Sequence, residues 1–199
     1  MKLRMSRRSV LSGGIASALI GSPSPAAAGE GLTVVVGDKA HARVRFGAEQ
    51  LRDALARVGY RSAISTGGRH PRDKAILVGN MATDGQIQQA VPRPNRSLSE
   101  ESFRIFADKK QIVIAGGGDS GAMYGCQELA GLVERTGRLP REMDFADEPK
   151  LQFRGTCLLW MKWGRLGYDW PVTRANFPWF FDRNLMLRYL DFLAELRFN

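Results

Sequence analysis

Apolar residues come in short bursts along the chain, and the bursts change period. "LTVVVG" at 32–37 and "AILVGN" at 75–80 are continuous apolar runs, as strands buried on both faces read. "RSAIS" at 61–65 is a weaker run of the same kind, followed by Gly67 and Gly68. Between the first two runs, Val44, Ala48, Leu51, Leu55 and Val58 recur at helical spacing. They predict a helix after Asp38, with Gly59 as its C′ residue. A short helix is predicted over 84–90, ended by "VPRPN". "SFRIFA" and "QIVIA" alternate on either side of the polar "DKK" and predict a β-hairpin. Ala122, Cys126, Leu129 and Val133 then predict a helix from about Gly121 to Arg135, stopped by Gly137 and Pro140. Alternating strands and helices closed by a hairpin predict an α/β fold with α+β character. Its sheet is mixed: 101–107 and 111–115 run antiparallel, and helices pack against the sheet.

The pattern changes after "DFADEPKLQFRG". "TCLLWMKW" at 156–163 predicts an apolar strand, and a loop of Gly, Tyr, Trp and Pro follows. "PWFFDRNLMLRYLDFLAELRFN" predicts a helix with Met186, Leu190, Leu193 and Arg197 along one side.

Within "QIVIAGGGDSGAMYG", Gly116, Gly118 and Gly121 fall on G-x-G-x-x-G, the dinucleotide fingerprint. That fingerprint needs a βαβ unit, a helix after the glycines and an acidic residue ending the next strand about 20 residues on. The helix is there. Glu142 and Asp144 lie at about the right distance, but "RLPREMDF" does not read as a strand. The hairpin also gives the strand before the glycines an antiparallel neighbour. A nucleotide-binding oxidoreductase is therefore the weakest of the functional classes, and no NAD or FAD is expected. The glycines have a structural explanation instead. Gly116 to Gly118 permit positive φ at a sharp strand-to-helix turn. Gly121 and Gly125, four apart on one helix face, let the helix lie close to the sheet.

Charge changes the picture only at the N-terminus. The 199-residue chain carries a formal +9. Lys2, Arg4, Arg7 and Arg8 precede an apolar run from Leu11 to Ile20, then Pro23, Pro25 and the small residues Ala26 and Ala28. This is a basic n-region, an h-region and an A-x-A cleavage site. Removing those four basic residues from 29 leaves 25 against 20 acidic ones, a balance of +5. The remaining charges are scattered, which describes a solvated surface and not a nucleic-acid footprint. The apolar run is about half of the ~20 residues a membrane span requires, so no permanent span is expected. "SRRSVLS" resembles the twin-arginine export signal, which implies engagement of the twin-arginine translocase through Arg7 and Arg8. A bacterial protein exported already folded, periplasmic or secreted, with a mature start near Gly29, is the expectation.

Candidate chemistry is sparse. A disulfide is permitted in the periplasm. Cys126 on an apolar helix face and Cys157 in an apolar strand nevertheless read as two buried free thiols. His41 and His70 form no metal-ligand spacing, and no metal or cofactor is expected. Asp119 in the glycine turn, and Asp147 and Glu148 in a linker, read as turn or surface residues.

"ESFRIFADKKQIVIAGGGDSGAMYGCQELAGLVE" resembles the small α/β domain that precedes the catalytic barrel in several glycoside hydrolases, among them the β-N-acetylhexosaminidases of family 20 and the α-glucuronidases of family 67. Glu101, Phe103, Ile105, Ile112, Ile114, Gly121, Tyr124, Gly125 and Leu129 carry the likeness. "DEPKLQFRG" then supplies Asp147, Pro149, Arg154 and Gly155, where the barrel opens in these families. The resemblance covers roughly 30–199 and implies a mixed α/β domain at 29–148 and the truncated start of a (β/α)8 barrel at 149–199, after the twin-arginine signal peptide read above at 1–28. Such a barrel takes about 250 residues, so only its first βα unit is expected here. The catalytic carboxylates of these families lie on later strands. No catalytic residue is therefore assigned, the chain is expected to be inactive alone, and 156–199 is expected to be its least stable part. "RGTCLLWMKWG" lacks the Asp and the Arg-His pair typical of the family 20 opening, which favours the α-glucuronidase-like branch or an uncharacterised relative.

Barrel active sites lie at the C-terminal ends of the strands. The resemblance thus implies substrate contacts at Trp160, Lys162 and Trp163, with Lys162 pairing a sugar carboxylate and a tryptophan stacking on a sugar face. Core packing is the alternative role for the tryptophans. Arg154 matches an arginine that contacts sugar hydroxyls in family 20, or it makes a salt bridge to Asp147 or Glu148 at the domain joint. The functional expectation is the N-terminal accessory domain of a secreted glycoside hydrolase, whose full-length parent takes a carbohydrate substrate. The alternative is a stand-alone, non-catalytic carbohydrate-binding or scaffolding module.

Overall fold

The computed structural model describes residues 31–67, 74–92, 98–157 and 173–199, together with the backbone of 163–164 and 167–168. Six strands form one sheet: β1 (Gly31–Val36), β2 (Arg61–Thr66), β3 (Lys74–Asn80), β4 (Phe103–Ala107), β5 (Gln111–Gly116) and β6 (Met143–Asp147). Their spatial order is β2-β1-β3-β5-β4-β6. β1, β2, β3 and β5 are mutually parallel, while β4 runs antiparallel between β5 and β6. The sheet is mixed, as the hairpin predicted. However, β5 also has a parallel neighbour, β3, on its other side. The antiparallel neighbour given by the hairpin is thus only one of two: the hairpin is a local pairing, whereas β3 reaches β5 from a distant part of the chain.

The pleat explains the continuous apolar runs. Val34, Val36, Ile76, Val78, Ile112 and Ile114 join one core cluster with the buried faces of α1 (Ala42–Arg57) and α3 (Asp119–Thr136). Val35, Leu77, Val113 and Ala115 join a second cluster with Ile87 of α2 (Gly85–Ala90) and with Val91. Side chains alternate across the pleat, so central strands covered on both faces need apolar residues at every position. Each fully buried Val, Leu or Ile contributes roughly 1.5–3 kcal/mol.

The helix ends follow their local chemistry. His41 caps α1 by accepting the Arg43 N–H, and Gly59 follows its C-cap at φ 94°. Asp84 caps α2 through the N–H groups of Gln86 and Ile87. α3 ends on Gly137 at φ 71°. The hairpin turn is held by Asp108, whose Oδ1 accepts from the Lys110 and Gln111 N–H groups at 2.7 and 2.9 Å. Those bonds favour the ionised carboxylate and lower its pKa.

Three expectations are corrected. "RLPREMDF" runs into a strand after all, because β6 begins at Met143. Its five residues are exposed or half-buried, so no apolar signal marks it. Pairing with β4 makes it a strand, reinforced by Arg104, whose Nε and Nη2 donate to the two carboxylate oxygens of Asp144 at 2.7 Å each. Cys157 is exposed and in no strand, whereas Cys126 is buried and free. Burial raises the Cys126 thiol pKa far above the usual range, so it acts as a small apolar group.

The predicted C-terminal helix is broken. Pro178–Phe181 is a 3-10 turn, and α4 runs only over Arg183–Glu195. Asp182 separates them, capping α4 by accepting from the Asn184 and Leu185 N–H groups at 3.0 and 3.1 Å. Leu190 is 55% exposed, and no residue of α4 is fully buried. Of the strand predicted at 156–163, Thr156 and Cys157 have no strand conformation. Residues 158–162 lie outside the described residues, and Trp163 belongs to a short antiparallel pair, β7 (Trp163–Gly164) with β8 (Gly167–Tyr168). Among the described residues no helix is long and apolar enough to cross a membrane.

Candidate functional site

The glycine turn between β5 and α3 has its donors and its space taken by the chain itself. The Gly117 N–H donates to the Ser102 carbonyl at 2.8 Å, and the Gly121 N–H to the Glu100 carbonyl at 3.3 Å. A β-carbon on Gly116 would stand 2.1 Å from the Ala122 nitrogen, and one on Gly117 1.9 Å from the Ser99 oxygen. In a dinucleotide fold such amides face a pyrophosphate; here segment 99–102 lies against them. Positive φ occurs at Gly59, Gly67 and Gly137 among the described glycines, and not at Gly116 to Gly118. The expectation of left-handed backbone there is corrected: these glycines are required by close approach. Gly125 fits the expected close packing of helix on sheet, since its β-carbon would meet Ile114 Cγ2 at 2.5 Å.

A crevice of about 770 Å³ opens at the carboxyl ends of β1, β3 and β5, where open parallel sheets usually bind ligands. Asp38, His41, Asn80, Asp84 and Asp119 line it. Several of these are committed to the fold. Asn80 Nδ2 donates to Asp119 Oδ1 at 3.0 Å, His41 and Asp84 cap helices, and His41 Nδ1 lies 4.0 Å from Asp119 Oδ2. Three aspartates make the crevice unfavourable for a phosphate. Among the described residues no His/Cys/Asp/Glu group is placed to hold a metal ion.

The densest polar cluster lies where the chain leaves β6 and where α4 returns. Arg154 Nη2 pairs with Glu101 Oε1 at 2.9 Å, and its Nε and Nη1 donate to the carbonyls of Arg197 and Leu151. Burial works most strongly against the Arg154 cation, but hydrogen bonding and charge interactions with Glu101 and Tyr124 together outweigh it, and the pKa is raised. Asn199 ties the same place together. Its N–H donates to the Arg154 carbonyl at 3.0 Å, its Oδ1 accepts from the Arg154 N–H at 2.9 Å, and its Nδ2 donates to Glu101 Oε1 at 3.1 Å. Arg197 Nη1 pairs with Asp147 at 2.8 Å and its Nη2 with Glu128 at 2.6 Å. A cleft of about 1110 Å³ opens beside this cluster, with Phe46, Tyr124, Phe153 and Leu190 in its walls.

Of the sequence-predicted site residues, Trp160 and Lys162 lie outside the described residues. Trp163 is placed by its backbone, paired with Tyr168. Arg154 is placed at the joint, but its acidic partner is Glu101 and neither Asp147 nor Glu148, the two weighed from sequence. Asp147 is taken by Arg197. Glu101, Arg197 and Asn199 were not singled out as site residues. Glu101 opens the "ESFRIF" stretch and was legible as part of a motif. Arg197 was hidden in the apparent helical stripe, because nothing local shows that the helix ends two residues before it.

Residues 18–146 match the family described as glycosyl hydrolase family 20, domain 2. No curated protein sequence matches the chain. Among solved structures, the chain is similar to a GH138 enzyme targeting pectin rhamnogalacturonan II. The TM-score is 0.66 at 26% identity, covering 85% of this chain and 23% of that one. It is similar in fold to BtGH115A, a GH115 4-O-methyl-α-glucuronidase with specificity for decorated arabinogalactans. Here the TM-score is 0.62 at 20% identity, over 84% of this chain and 24% of that one. The chain thus spans about a quarter of each of these enzymes. With a six-stranded mixed sheet packed by helices and a family match over most of that domain, the chain belongs to the glycosyl hydrolase family 20, domain 2 family.

Proposed function

We propose that this chain is the N-terminal accessory domain of an exported glycoside hydrolase, carrying the first βα unit of its catalytic barrel. The observation that supports the barrel assignment is the return of the chain after α4. There the Asn199 N–H donates to the Arg154 carbonyl at 3.0 Å, so the chain that leaves the helix comes back beside the segment that precedes the expected first strand, as a βα unit requires. The similarity to glycoside hydrolases of families GH138 and GH115 supports the same reading. In this role the domain is a rigid platform. Apolar clusters lie on both faces of its central strands, and its acidic rim at Glu101, Glu128 and Asp147 receives the arginines of the following segment.

Hydrolysis would proceed through an oxocarbenium-like transition state flanked by carboxyl groups. We assign those carboxyls to later barrel strands and none to residues 1–199. Sugar contact is assigned to the Trp160–Trp163 stretch, with Lys162 for a sugar carboxylate. Arg154 is moved from sugar contact to positioning, because three of its nitrogens are bonded within the chain. Export is assigned to the twin-arginine translocase through Arg7 and Arg8, giving a periplasmic or secreted protein.

The DNA downstream of the Asn199 codon tests the assignment. A frame continuing into further βα units with paired acids supports the accessory-domain role. A stop codon followed by an unrelated gene favours a stand-alone carbohydrate-binding or scaffolding module. Turnover of aryl glycosides or glucuronoxylan fragments by the purified 199-residue chain would overturn the assignment of catalysis elsewhere.

A further inference from the structure

α4 ends in a way that its sequence does not call for. The Arg197 N–H bonds the Ala194 carbonyl at 3.0 Å and the Phe198 N–H bonds the Leu193 carbonyl at 2.9 Å. Together they form a Schellman motif, whose left-handed C′ position is normally glycine. Here Arg197 holds it at φ 60°, the one non-glycine residue with positive φ among those described. A glycine would make the same helix end with less steric conflict. What the arginine adds is its side chain.

That side chain enters a socket built by three elements of the α/β domain. Its guanidinium lies over the Phe103 ring of β4 at 5.2 Å and the Tyr124 ring of α3 at 5.9 Å. Glu128 of α3 and Asp147 at the end of β6 pair with it at 2.6 and 2.8 Å. An aromatic floor and two carboxylates match a planar, delocalised cation better than a lysine ammonium. The Arg197 carbonyl in turn accepts from Arg154 Nε. One residue thus joins the end of α4, the segment around Arg154 and three elements of the domain.

We propose that Arg197 is the anchor of an arginine socket that sets where the 151–199 segment sits on the α/β domain, and that its left-handed backbone is retained for docking and not for ending the helix. This holds whether the chain serves an enzyme or a scaffold, so it does not depend on the function proposed above.

Hydrogen exchange on the full 199-residue chain separates the two roles of Arg197. If the residue merely ends the helix, Arg197→Gly should leave α4 and 151–155 as protected as in the wild type, or more so. If it anchors, Arg197→Gly should speed exchange in both segments by tenfold or more while α3 stays protected. Arg197→Lys should rescue only partly. The double variant Glu128→Gln/Asp147→Asn attacks the socket from the domain side and leaves α4 untouched in sequence. It should reproduce the Arg197→Gly pattern, as should 1 M salt on the wild type. Unchanged exchange over 151–155 and 183–195 in either the glycine or the double variant overturns the proposal.

Discussion

A β-carbon on Gly121 would stand 2.1 Å from the backbone carbonyl oxygen of Ser102. Helix α3 and the segment entering β4 therefore touch main chain to main chain, with no side chain to give way. Gly121→Ala should destabilise the domain by about 3 kcal/mol or more, at the upper end of overpacking costs. Gly131, on the same helix, meets only the flexible end of Arg135, at 3.0 Å. Gly131→Ala should be neutral or stabilising by up to about 1 kcal/mol through helix propensity. Urea unfolding of both variants checks the contrast; equal effects would contradict it.

The Leu139 N–H, in a residue only 8% exposed, donates to the Tyr60 hydroxyl at 3.1 Å. This bond fastens the turn after α3 to the end of α1. Tyr60→Phe keeps the ring but leaves a buried donor unpaired, which costs about 1–3 kcal/mol. The loss should appear in thermal or urea unfolding, with fast exchange confined to 137–142 when the variant is still folded.

The Arg104–Asp144 pair makes the β4–β6 contact acid-sensitive. Hydrogen bonding from Arg104 holds the Asp144 carboxyl below its ordinary pKa. A depressed carboxylate contributes stability that is present above the unfolded pKa, about 3.9, and lost as pH falls through the folded value. Asp144 is 56% exposed, so solvent screening keeps the effect to about 1 kcal/mol or less. Asp144→Asn should be less stable than the wild type at pH 7, and the gap should close below about pH 4. A gap that stays constant from pH 7 to pH 3 would exclude the pair as its source.

The twin-arginine export proposed above makes a separate prediction. Replacing Arg7 and Arg8 by Lys keeps the charge but removes the paired guanidinium groups. Precursor should accumulate in the cytoplasm, seen by fractionation and by a mature N-terminus near Gly29 in the wild type alone. Undiminished export of the double variant would refute the assignment.

The elements legible in the sequence are those whose signal is local. β1, β3 and β5 are covered on both faces, so their sequences are continuous apolar runs. α1 buries one stripe, and α3 is buried all round over 120–126 and along one stripe beyond; Val44, Leu51, Cys126 and Leu129 recur at helical spacing. The β4–β5 hairpin is closed by three polar residues that can be recognised without knowing the rest. These features, with the glycines that must lie against main chain, also carried the family resemblance.

What only the tertiary structure decided is non-local. β6 is a strand because β4 offers it an edge and Arg104 a charge, and its own exposed residues say nothing of it. The parallel neighbour of β5 comes from more than thirty positions earlier in the chain. The partner of Arg154 is Glu101, across the whole of α3 and β6, and the two nearby acids it was matched with in sequence are not its partners. Arg197 resembles one more residue of a helical stripe until the helix end and its socket are seen together. Spacing along the chain reports helical and strand periodicity, which are properties of one segment. Ion pairs, sheet edges and left-handed helix ends depend on which other segment arrives, and folding brings that segment from elsewhere in the chain.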